Sequence, residues 1–313
     1  MNEAVLFPGQ GAQFPGMGRD WVTAFPSAAR LFERAERALG FPLRAACWDE
    51  GERVHRTDIA QPGILTTSAA IVGVLEERGG LERARSALTA GLSLGEYTAL
   101  WFAGALEFED AVRLVRLRGE AMQAASERTP SSMTSLMGAT PEQAEALAAV
   151  GRTRGICALA NLNAPGQIVL SGELAALDAA EAAAAQHGVK RAVRLSVAGG
   201  FHSECMRSAS ERLERALAEV PLRAPRIPFV SNVTASPLRD PDEIKQALAR
   251  QVCAPVLWER SMRHALLAGI DAVLEPGPGN VLCGLMRRIA KDAGGTVVRL
   301  RGVEKPDDIE VSA

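Results

Sequence analysis

Short apolar runs that end at glycine or proline recur along this chain, and they limit the folds open to it. Four such runs are typical of buried strands that end in tight turns: 4–7, 88–90, 229–232 and 272–277. Helical stretches with apolar residues three and four apart lie between them, such as 111–125, 208–220 and 242–249. Strands that alternate with helices predict an α/β fold, with a mostly parallel sheet covered on both faces.

The middle of the chain has a different pattern, in which strands are as frequent as helices. Candidate strands cover 131–138, 156–162, 167–171 and 190–197, and candidate helices begin at Thr140 and at Glu173. The order β-α-β-β-α-β is that of the ferredoxin-like unit. We therefore predict a small ferredoxin-like domain at residues 127–198, inserted into a larger domain made of residues 1–126 and 199–313.

Composition excludes several classes of partner. The net charge is −2, from 35 Lys and Arg against 37 Asp and Glu, so no global field holds nucleic acid or an anionic membrane. The five cysteines are odd in number and widely spaced, which argues against a disulfide framework or a zinc site. The N-terminal residues show no basic stretch followed by an apolar one. We expect a cytoplasmic protein that binds neither nucleic acid nor membrane.

One motif suggests a nucleophile. Gly91-Leu92-Ser93-Leu94-Gly95 fits G-x-S-x-G between a predicted strand and a predicted helix. In a nucleophile elbow, such glycines allow a cramped turn that holds the serine hydroxyl outward, and the following helix adds positive potential there. The alternative is an ordinary turn between a strand and a helix.

A serine needs a base, and only four histidines are available: His55, His187, His202 and His264. His187 lies at a helix end, His264 on a helix, and His55 in a polar stretch. His202 instead lies in a Gly-rich loop between a predicted strand and a predicted helix, where a ring can face a cleft. It is the candidate base, and a buried ring beside a helix cap is the alternative.

A second Gly-rich turn, Pro8 to Gln13, follows the first predicted strand. Its backbone N–H groups could bind an oxyanion. A phosphate-binding turn and a purely structural turn are the alternatives, but the sequence is neither a P-loop nor G-x-G-x-x-G.

Six motifs in this order resemble the malonyl-CoA:acyl carrier protein transacylases, the acyltransferases of fatty acid and polyketide synthesis. They are FPGQGAQ at 7–13, GLSLGEY at 91–97, RG at 118–119, NAPGQ at 163–167, FHS at 201–203 and EPGPG at 275–279. The resemblance covers about residues 4–300. It implies an α/β-hydrolase-like large domain with a ferredoxin-like insert, in agreement with the pattern above.

The resemblance also implies roles for individual residues. Ser93 matches the nucleophile and His202 the general base, in a dyad without a carboxylate. The backbone N–H groups of Gln10 and Leu94 match the oxyanion hole. Arg118 matches the residue that pairs with the free carboxylate of malonate, a role that suits a planar guanidinium.

The remaining implied residues surround this dyad. Gln251 matches the position whose backbone carbonyl holds the second nitrogen of the histidine. Gln61, Met122 and Phe201 are expected to line the acyl pocket. Leu92 departs from the family, which commonly has histidine there, and this leaves the fine tuning of the site open. Phe201 fits a choice of malonyl over methylmalonyl groups, because its ring would crowd an α-methyl group.

The implied reaction is ping-pong transfer through a malonyl-serine intermediate, with malonyl-CoA and an acyl carrier protein as substrates and with no cofactor or metal. The carrier is expected to meet a basic patch, at Lys190, Arg191 and Arg194 or at Arg287, Arg288 and Lys291. A monomer is expected. The alternatives are a thioester hydrolase of the same fold, a trans-acting polyketide acyltransferase with another acyl choice, and a non-catalytic carrier-binding subunit.

Overall fold

The computed structural model describes residues 2–312. Its strands are β1 (Glu3–Phe7), β2 (Leu88–Gly91), β3 (Ser131–Met137), β4 (Cys157–Ala164), β5 (Gln167–Glu173), β6 (Arg191–Arg194), β7 (Phe229–Val230), β8 (Pro237–Leu238), β9 (Ala272–Pro276) and β10 (Arg299–Val303). Its α-helices are α1 (Arg19–Ala24), α2 (Pro26–Leu39), α3 (Leu43–Trp48), α4 (Thr57–Glu77), α5 (Gly95–Phe102), α6 (Phe108–Arg128), α7 (Pro141–Arg152), α8 (Leu174–Ala183), α9 (Arg207–Glu219), α10 (Pro241–Gln251), α11 (Trp258–Leu267) and α12 (Val281–Asp292).

Six strands form the first sheet, in the order β10-β9-β1-β2-β7-β8. All neighbours in it are parallel except β7 and β8. The four strands that the apolar runs predict are all present. The sequence does not predict β8 or β10, because Pro237-Leu238 is too short to show a pattern and arginines interrupt Arg299–Val303. The chain therefore has the mixed α/β architecture with a parallel sheet that the sequence predicts.

One helix, α4, is long and apolar enough to cross a membrane, but 94% of its apolar window is buried inside the fold. It packs against α2 and α6. A helix that is apolar on all sides is expected where neighbours surround it. We therefore assign α4 to the core, and it carries the buried Gln61.

Four strands form a second, antiparallel sheet, in the order β4-β5-β3-β6. Helices α7 and α8 pack against each other and share an apolar cluster with this sheet, which includes Leu136, Leu147, Leu170 and Leu177. At the N-terminus of α7, Thr140 and Gln143 form the reciprocal bonds of a capping box. Strands and helices follow one another here in the order that the sequence predicts.

Two chain segments connect the sheets, and they touch. A Cβ on Gly199 would lie 2.1 Å from Ser126 Oγ, so only glycine fits this approach. The N–H of Gly200 donates to Ser131 Oγ at 2.8 Å, and Ser203 Oγ donates to the carbonyl of Gly200 at 2.6 Å. The first strand of the second sheet thus helps to position the loop that follows Gly200.

Candidate active site

Ser93 lies in the turn between β2 and α5, and its backbone has a φ of +53°. The two flanking glycines are required by close backbone approaches. A Cβ on Gly91 would lie 1.9 Å from the carbonyl carbon of Gly95, and one on Gly95 would lie 2.3 Å from the carbonyl oxygen of Phe7. The turn is therefore as cramped as the G-x-S-x-G motif predicts, and Ser93 has the left-handed backbone that a nucleophile elbow needs.

His202 lies against Ser93, although 109 positions separate them in sequence. Its Nε2 is 2.8 Å from Ser93 Oγ, and its Nδ1 is 2.8 Å from the carbonyl oxygen of Gln251. A carbonyl only accepts, so Nδ1 carries the proton and the Nε2 lone pair faces the hydroxyl. The ring is 4% exposed and its residue has a φ of +59°. This geometry suits transfer of the Ser93 proton to His202.

The electrostatics of the site keep His202 neutral. Burial, with a further contribution from the positive charge of Arg118, lowers the pKa of His202 from 6.5 to about 4. A neutral ring at pH 7 can accept a proton, whereas an imidazolium cannot. No Asp or Glu of the described residues bonds to His202.

Arg118 is a fully buried cation beside the hydroxyl, with its residue 1% exposed. Its Nη2 donates to Ser93 Oγ and to Gln251 Oε1, each at 2.9 Å, and its Nη1 donates to Gln61 Oε1 at 2.9 Å. The guanidinium also lies over the ring of Tyr97, 5.9 Å from its centroid. Burial lowers the pKa of Arg118 from its ordinary value.

Arg118 has no counter-ion at contact distance. Between residues 2 and 312, no carboxylate lies within 4.0 Å of its guanidinium nitrogens. Two other arginines of α6 differ: Arg113 pairs with Asp110 at the surface, and Arg116 pairs with Asp58. A buried, unpaired guanidinium is costly, and an anionic ligand would offset that cost.

The turn after β1 brings Gln10 to the same place. A Cβ on Gly9 would lie 2.3 Å from the carbonyl oxygen of Leu92, so the two turns are in contact. The N–H groups of Gln10 and of Leu94 donate to no acceptor within residues 2–312. Leu94 also directly precedes α5, and the N–H groups at the start of a helix have no acceptor within the helix. Both N–H groups are thus available to an acceptor from outside the chain, such as an oxyanion.

The expected pocket residues lie around Arg118. Gln61 is fully buried, and its Nε2 is 3.5 Å from Met122 Sδ and 3.4 Å from Gln10 Oε1. Met122 lies one helical turn after Arg118 on α6. Phe201 is buried directly before His202, in the same apolar cluster as Met122. The structure thus brings Gln61 and Met122 into contact. Phe201 is near the dyad because it directly precedes His202 in the chain.

Two residues that sequence reasoning missed hold the site together. Asn232 Oδ1 accepts from the N–H of Ser93 at 2.7 Å, and its Nδ2 donates to the carbonyl of Gly91 at 2.8 Å. Glu96 accepts from the N–H of Asn232 at 2.5 Å and from Gln251 Nε2 at 2.6 Å. Burial raises the pKa of Glu96 to about 7, against the opposing effects of these donors and of Arg118. Asn232 is the last residue of the predicted run 229–232, and Glu96 directly follows the turn at 91–95. These positions were the available signal.

Neither Leu92 nor the other three histidines take part in the contact between Ser93 and His202. Leu92 is partly buried and packs against an apolar cluster, and the contact between Ser93 and His202 forms with leucine at that position. His55, His187 and His264 make no bond to Ser93 or Arg118. No group of three or more His, Cys, Asp or Glu among the described residues could hold a metal ion.

Comparison with known proteins shows the family of this chain. A sequence profile of the acyl transferase domain matches residues 5–310. Malonyl CoA-acyl carrier protein transacylase of Bacillus subtilis (strain 168) is 38% identical over 311 residues, which cover 99% of this chain and 95% of that protein.

Solved structures agree as well. Acyl-carrier-protein-S-malonyltransferase from Bartonella henselae has a TM-score of 0.93 and 36% identity, with 100% of this chain and 98% of that one covered. A type II PKS acyl-carrier protein in complex with its malonyl-transacylase gives a TM-score of 0.93 and 34% identity, with 100% and 99% covered. With a profile match over nearly its whole length, this chain belongs to the acyl transferase domain family.

Proposed function

We propose that this chain transfers a malonyl group from malonyl-CoA to the phosphopantetheine thiol of an acyl carrier protein. The observation that carries the proposal is the buried guanidinium of Arg118, which has no carboxylate partner and lies 2.9 Å from Ser93 Oγ. Such a cation fits an acyl group that ends in a carboxylate. Only a short acyl group places its carboxylate that close to the carbon that Ser93 attacks, and malonyl has one methylene between the two.

The first half-reaction loads the enzyme. His202 Nε2 takes the proton of Ser93 as Oγ attacks the thioester carbonyl of malonyl-CoA. The N–H groups of Gln10 and Leu94 stabilise the oxyanion, and one such donor contributes about 3–4 kcal/mol in comparable enzymes. The C–S bond then breaks, CoA leaves as a thiol with the proton from His202, and a malonyl ester remains on Ser93.

The second half-reaction reverses these steps with another thiol. His202 takes the proton of the carrier's phosphopantetheine thiol, whose sulfur attacks the malonyl ester. Ser93 Oγ leaves and recovers the proton from His202. One thioester replaces another, so the exchange needs no energy from ATP. The solved complex between a carrier protein and a malonyl-transacylase of the same fold supports the carrier as partner.

Arg118 and the bonding of His202 separate this function from thioester hydrolysis on the same fold. The hydrolase alternative predicts an Asp or Glu on His202 Nδ1, where the structure has the carbonyl of Gln251. An acyltransferase that selects groups without a carboxylate would not need a buried cation beside the nucleophile. One that selects methylmalonyl would need it, and against that choice we propose the ring of Phe201, which would crowd an α-methyl group. Phe201 and Met122, both buried near the dyad, are proposed as pocket walls with Gln61.

For the fold, we propose the finer division into an α/β-hydrolase-like domain of residues 1–126 and 199–313 and a ferredoxin-like domain of residues 127–198. The order β4-β5-β3-β6 of the second sheet supports it. A cytoplasmic monomer that uses no cofactor remains our prediction.

The test is intact-mass spectrometry of the protein after exposure to malonyl-CoA, with and without a carrier protein in its phosphopantetheinyl form. We expect one malonyl adduct on the wild type and none on Ser93→Ala. Ser208→Ala, an exposed serine on α9, is the matched control and should load normally. The adduct should pass to the carrier faster than free malonate appears. Release of malonate with no carrier adduct would instead favour the hydrolase.

A further inference from the structure

Glu96 has a fully buried carboxylate next to the site. It is the second residue of α5, three positions after Ser93. Its two oxygens each accept one N–H: Oε1 from the backbone of Asn232, and Oε2 from the side chain of Gln251. No Lys, Arg or His of the described residues lies within 4.0 Å of it. Its position is therefore defined by hydrogen bonds, with the side chain of Ser231 as a further partner, rather than by an ion pair.

The side-chain amide of Gln251 is fully used as well. Its Nε2 donates to Glu96 Oε2 at 2.6 Å and to the carbonyl of Ser93 at 2.8 Å. Its Oε1 accepts from Arg118 Nη2 at 2.9 Å. Its backbone carbonyl accepts from His202 Nδ1 at 2.8 Å. One residue therefore contacts the nucleophile's backbone, the base and the buried cation.

The orientation of this amide depends on Glu96. A carboxylate only accepts hydrogen bonds, so it requires the NH₂ group of Gln251 on its side. The amide oxygen must then point the other way, toward Arg118. With the amide reversed, two hydrogens would face the guanidinium and an oxygen would face the carboxylate, and both contacts would be repulsive.

We infer that Glu96 is a positioning residue for the proposed acyl transfer: its carboxylate fixes the Gln251 amide so that the amide oxygen holds Arg118 in place for the substrate carboxylate. The inference rests on the proposed function, because it assumes that Arg118 meets an acyl carboxylate. Glu96 acts on the reaction only through Gln251.

The orientation of the Gln251 amide provides one of the three acceptors that hold the guanidinium of Arg118. Arg118 Nη2 has two hydrogens, one on Gln251 Oε1 and one on Ser93 Oγ, and Nη1 donates to Gln61. Arg118 Nε has no partner within residues 2–312. A loose Gln251 amide would let the guanidinium rotate away from the acyl chain. Loading of acyl groups that end in a carboxylate would therefore slow more than loading of acyl groups without one.

The first experiment compares Glu96→Gln with the wild type by the rate of adduct formation on Ser93, using limiting malonyl-CoA or limiting acetyl-CoA. The new amide must present its NH₂ to one of two N–H donors, so Gln251 loses its fixed orientation. Loss of one hydrogen bond to a charged group corresponds to about a 10- to 100-fold effect. We expect malonyl loading to fall by that factor, and the malonyl-to-acetyl ratio to fall about tenfold.

Two further variants keep the test decisive if Glu96→Gln folds poorly. Glu96→Asp keeps the charge on a side chain one methylene shorter, and it should lower the malonyl-to-acetyl ratio more than threefold. Glu275→Gln is the matched control, because Glu275 is also fully buried and accepts two N–H bonds, from Leu282 and Cys283. It should lose stability but keep the wild-type ratio.

A double variant tests the route through the amide. Gln251→Met removes the side-chain amide and keeps the backbone carbonyl on which His202 depends. If Glu96 acts through this amide, Glu96→Gln added to Gln251→Met should change the ratio no further. A further fall of tenfold in the double variant would show that Glu96 does not act through Gln251.

The outcomes separate the two claims. If the wild type gains no malonyl adduct, the proposed function fails. If the wild type loads malonyl and both Glu96 variants keep its malonyl-to-acetyl ratio within twofold, the inference about Glu96 fails while the proposed function remains. A fall in the ratio for the Glu96 variants and for Glu275→Gln alike would mark a general effect of lost stability, and it would also overturn the inference.

Discussion

Arg118 Nη2 lies 2.9 Å from Ser93 Oγ, the same atom that His202 Nε2 approaches to 2.8 Å. The proposed nucleophile therefore lies between a base and a buried cation. The positive charge of this cation, after burial, lowers the pKa of His202. Arg118 Nε has no partner within residues 2–312, so the guanidinium keeps a free donor for a substrate carboxylate.

Arg118→Ala should remove malonyl transfer selectively. Truncation of one partner in a buried, hydrogen-bonded charge pair costs about 2–5 kcal/mol, or about 30-fold and more in rate. Acetyl-CoA has no carboxylate, so its loading should be spared or improved. Adduct formation on Ser93 with each thioester measures both. Arg113→Ala, on the exposed side of the same helix, should change neither rate. Malonyl loading at the wild-type rate in Arg118→Ala would contradict the role of this residue.

The low pKa of His202 sets the acid limit of loading, which is the pH below which the rate of adduct formation on Ser93 falls. A free imidazole with a pKa of 6.5 would lose its basic form below that pH, whereas burial keeps His202 neutral down to about 4. Between pH 6 and 4, Glu96, with a pKa of about 7, is already protonated. The loading rate in this window should therefore fall only near pH 4, and circular dichroism at each pH should show that the protein is folded.

Arg118→Ala should shift this acid limit upward. Arg118 is the second cause of the low pKa of His202, after burial, so its loss raises that pKa part of the way toward 6.5. Acetyl loading by the variant from pH 4 to 8 measures the shift. The same proton linkage acts on stability: the unfolded histidine binds a proton more readily, so the contribution of His202 to stability is lost as pH falls from 6.5 to 4. Protonation of Glu96 near pH 7 is itself expected to slow malonyl loading, so the dyad is judged by acetyl loading. A fall of wild-type acetyl loading near pH 6.5 would contradict the neutral dyad.

Asn232→Ala should weaken the turn that carries Ser93. The variant leaves the N–H of Ser93 and the carbonyl of Gly91 without their partners in a buried region. Two such losses cost about 2–4 kcal/mol in the free energy of unfolding. Urea denaturation measures this free energy, and loading of Ser93 should fall as the strained backbone relaxes. Asn2→Ala, at an exposed hydrogen bond, is the control. Unchanged stability in Asn232→Ala would show that the hydrogen bonds of Asn232 do not stabilise this turn.

Most of the architecture could be predicted from the sequence, because buried strands and amphipathic helices leave periodic patterns. The apolar runs at Ala4–Phe7 and Ala272–Pro276 are such cases. The edge strand Arg299–Val303 is not, since its arginines hide the pattern.

The site was harder to predict than the fold. Ser93 and His202 have local signals, a cramped turn and a Gly-rich loop. Arg118 has none, because its helix carries four arginines and only the packing of α6 decides which one faces inward. Glu96 and Asn232 were missed because their role is to bridge segments 136 positions apart, and single-sequence patterns do not show such distances.

Encounter with a carrier protein should depend on exposed cations near the C-terminal helix. Arg194, in the first expected patch, is already paired with Asp178 and Glu181, which weakens that patch. Arg287, Arg288 and Lys291 project from one exposed side of α12, and Arg288 donates to Gln167 Oε1 of β5 at 3.0 Å. Because none of these three forms an ion pair with another described residue, we predict that α12 attracts the acidic carrier.

The test reverses charge on α12, with Arg287→Glu and Lys291→Glu together, and measures transfer from the malonyl enzyme to the carrier. The KM for the carrier should rise about tenfold at low salt, and the difference from the wild type should shrink at high salt, since screening weakens surface attraction. Loading from malonyl-N-acetylcysteamine, an uncharged arm, should not change. Lys190→Glu with Arg191→Glu tests the other patch in parallel. If that pair alone raises the KM, the carrier approaches over the second sheet rather than over α12.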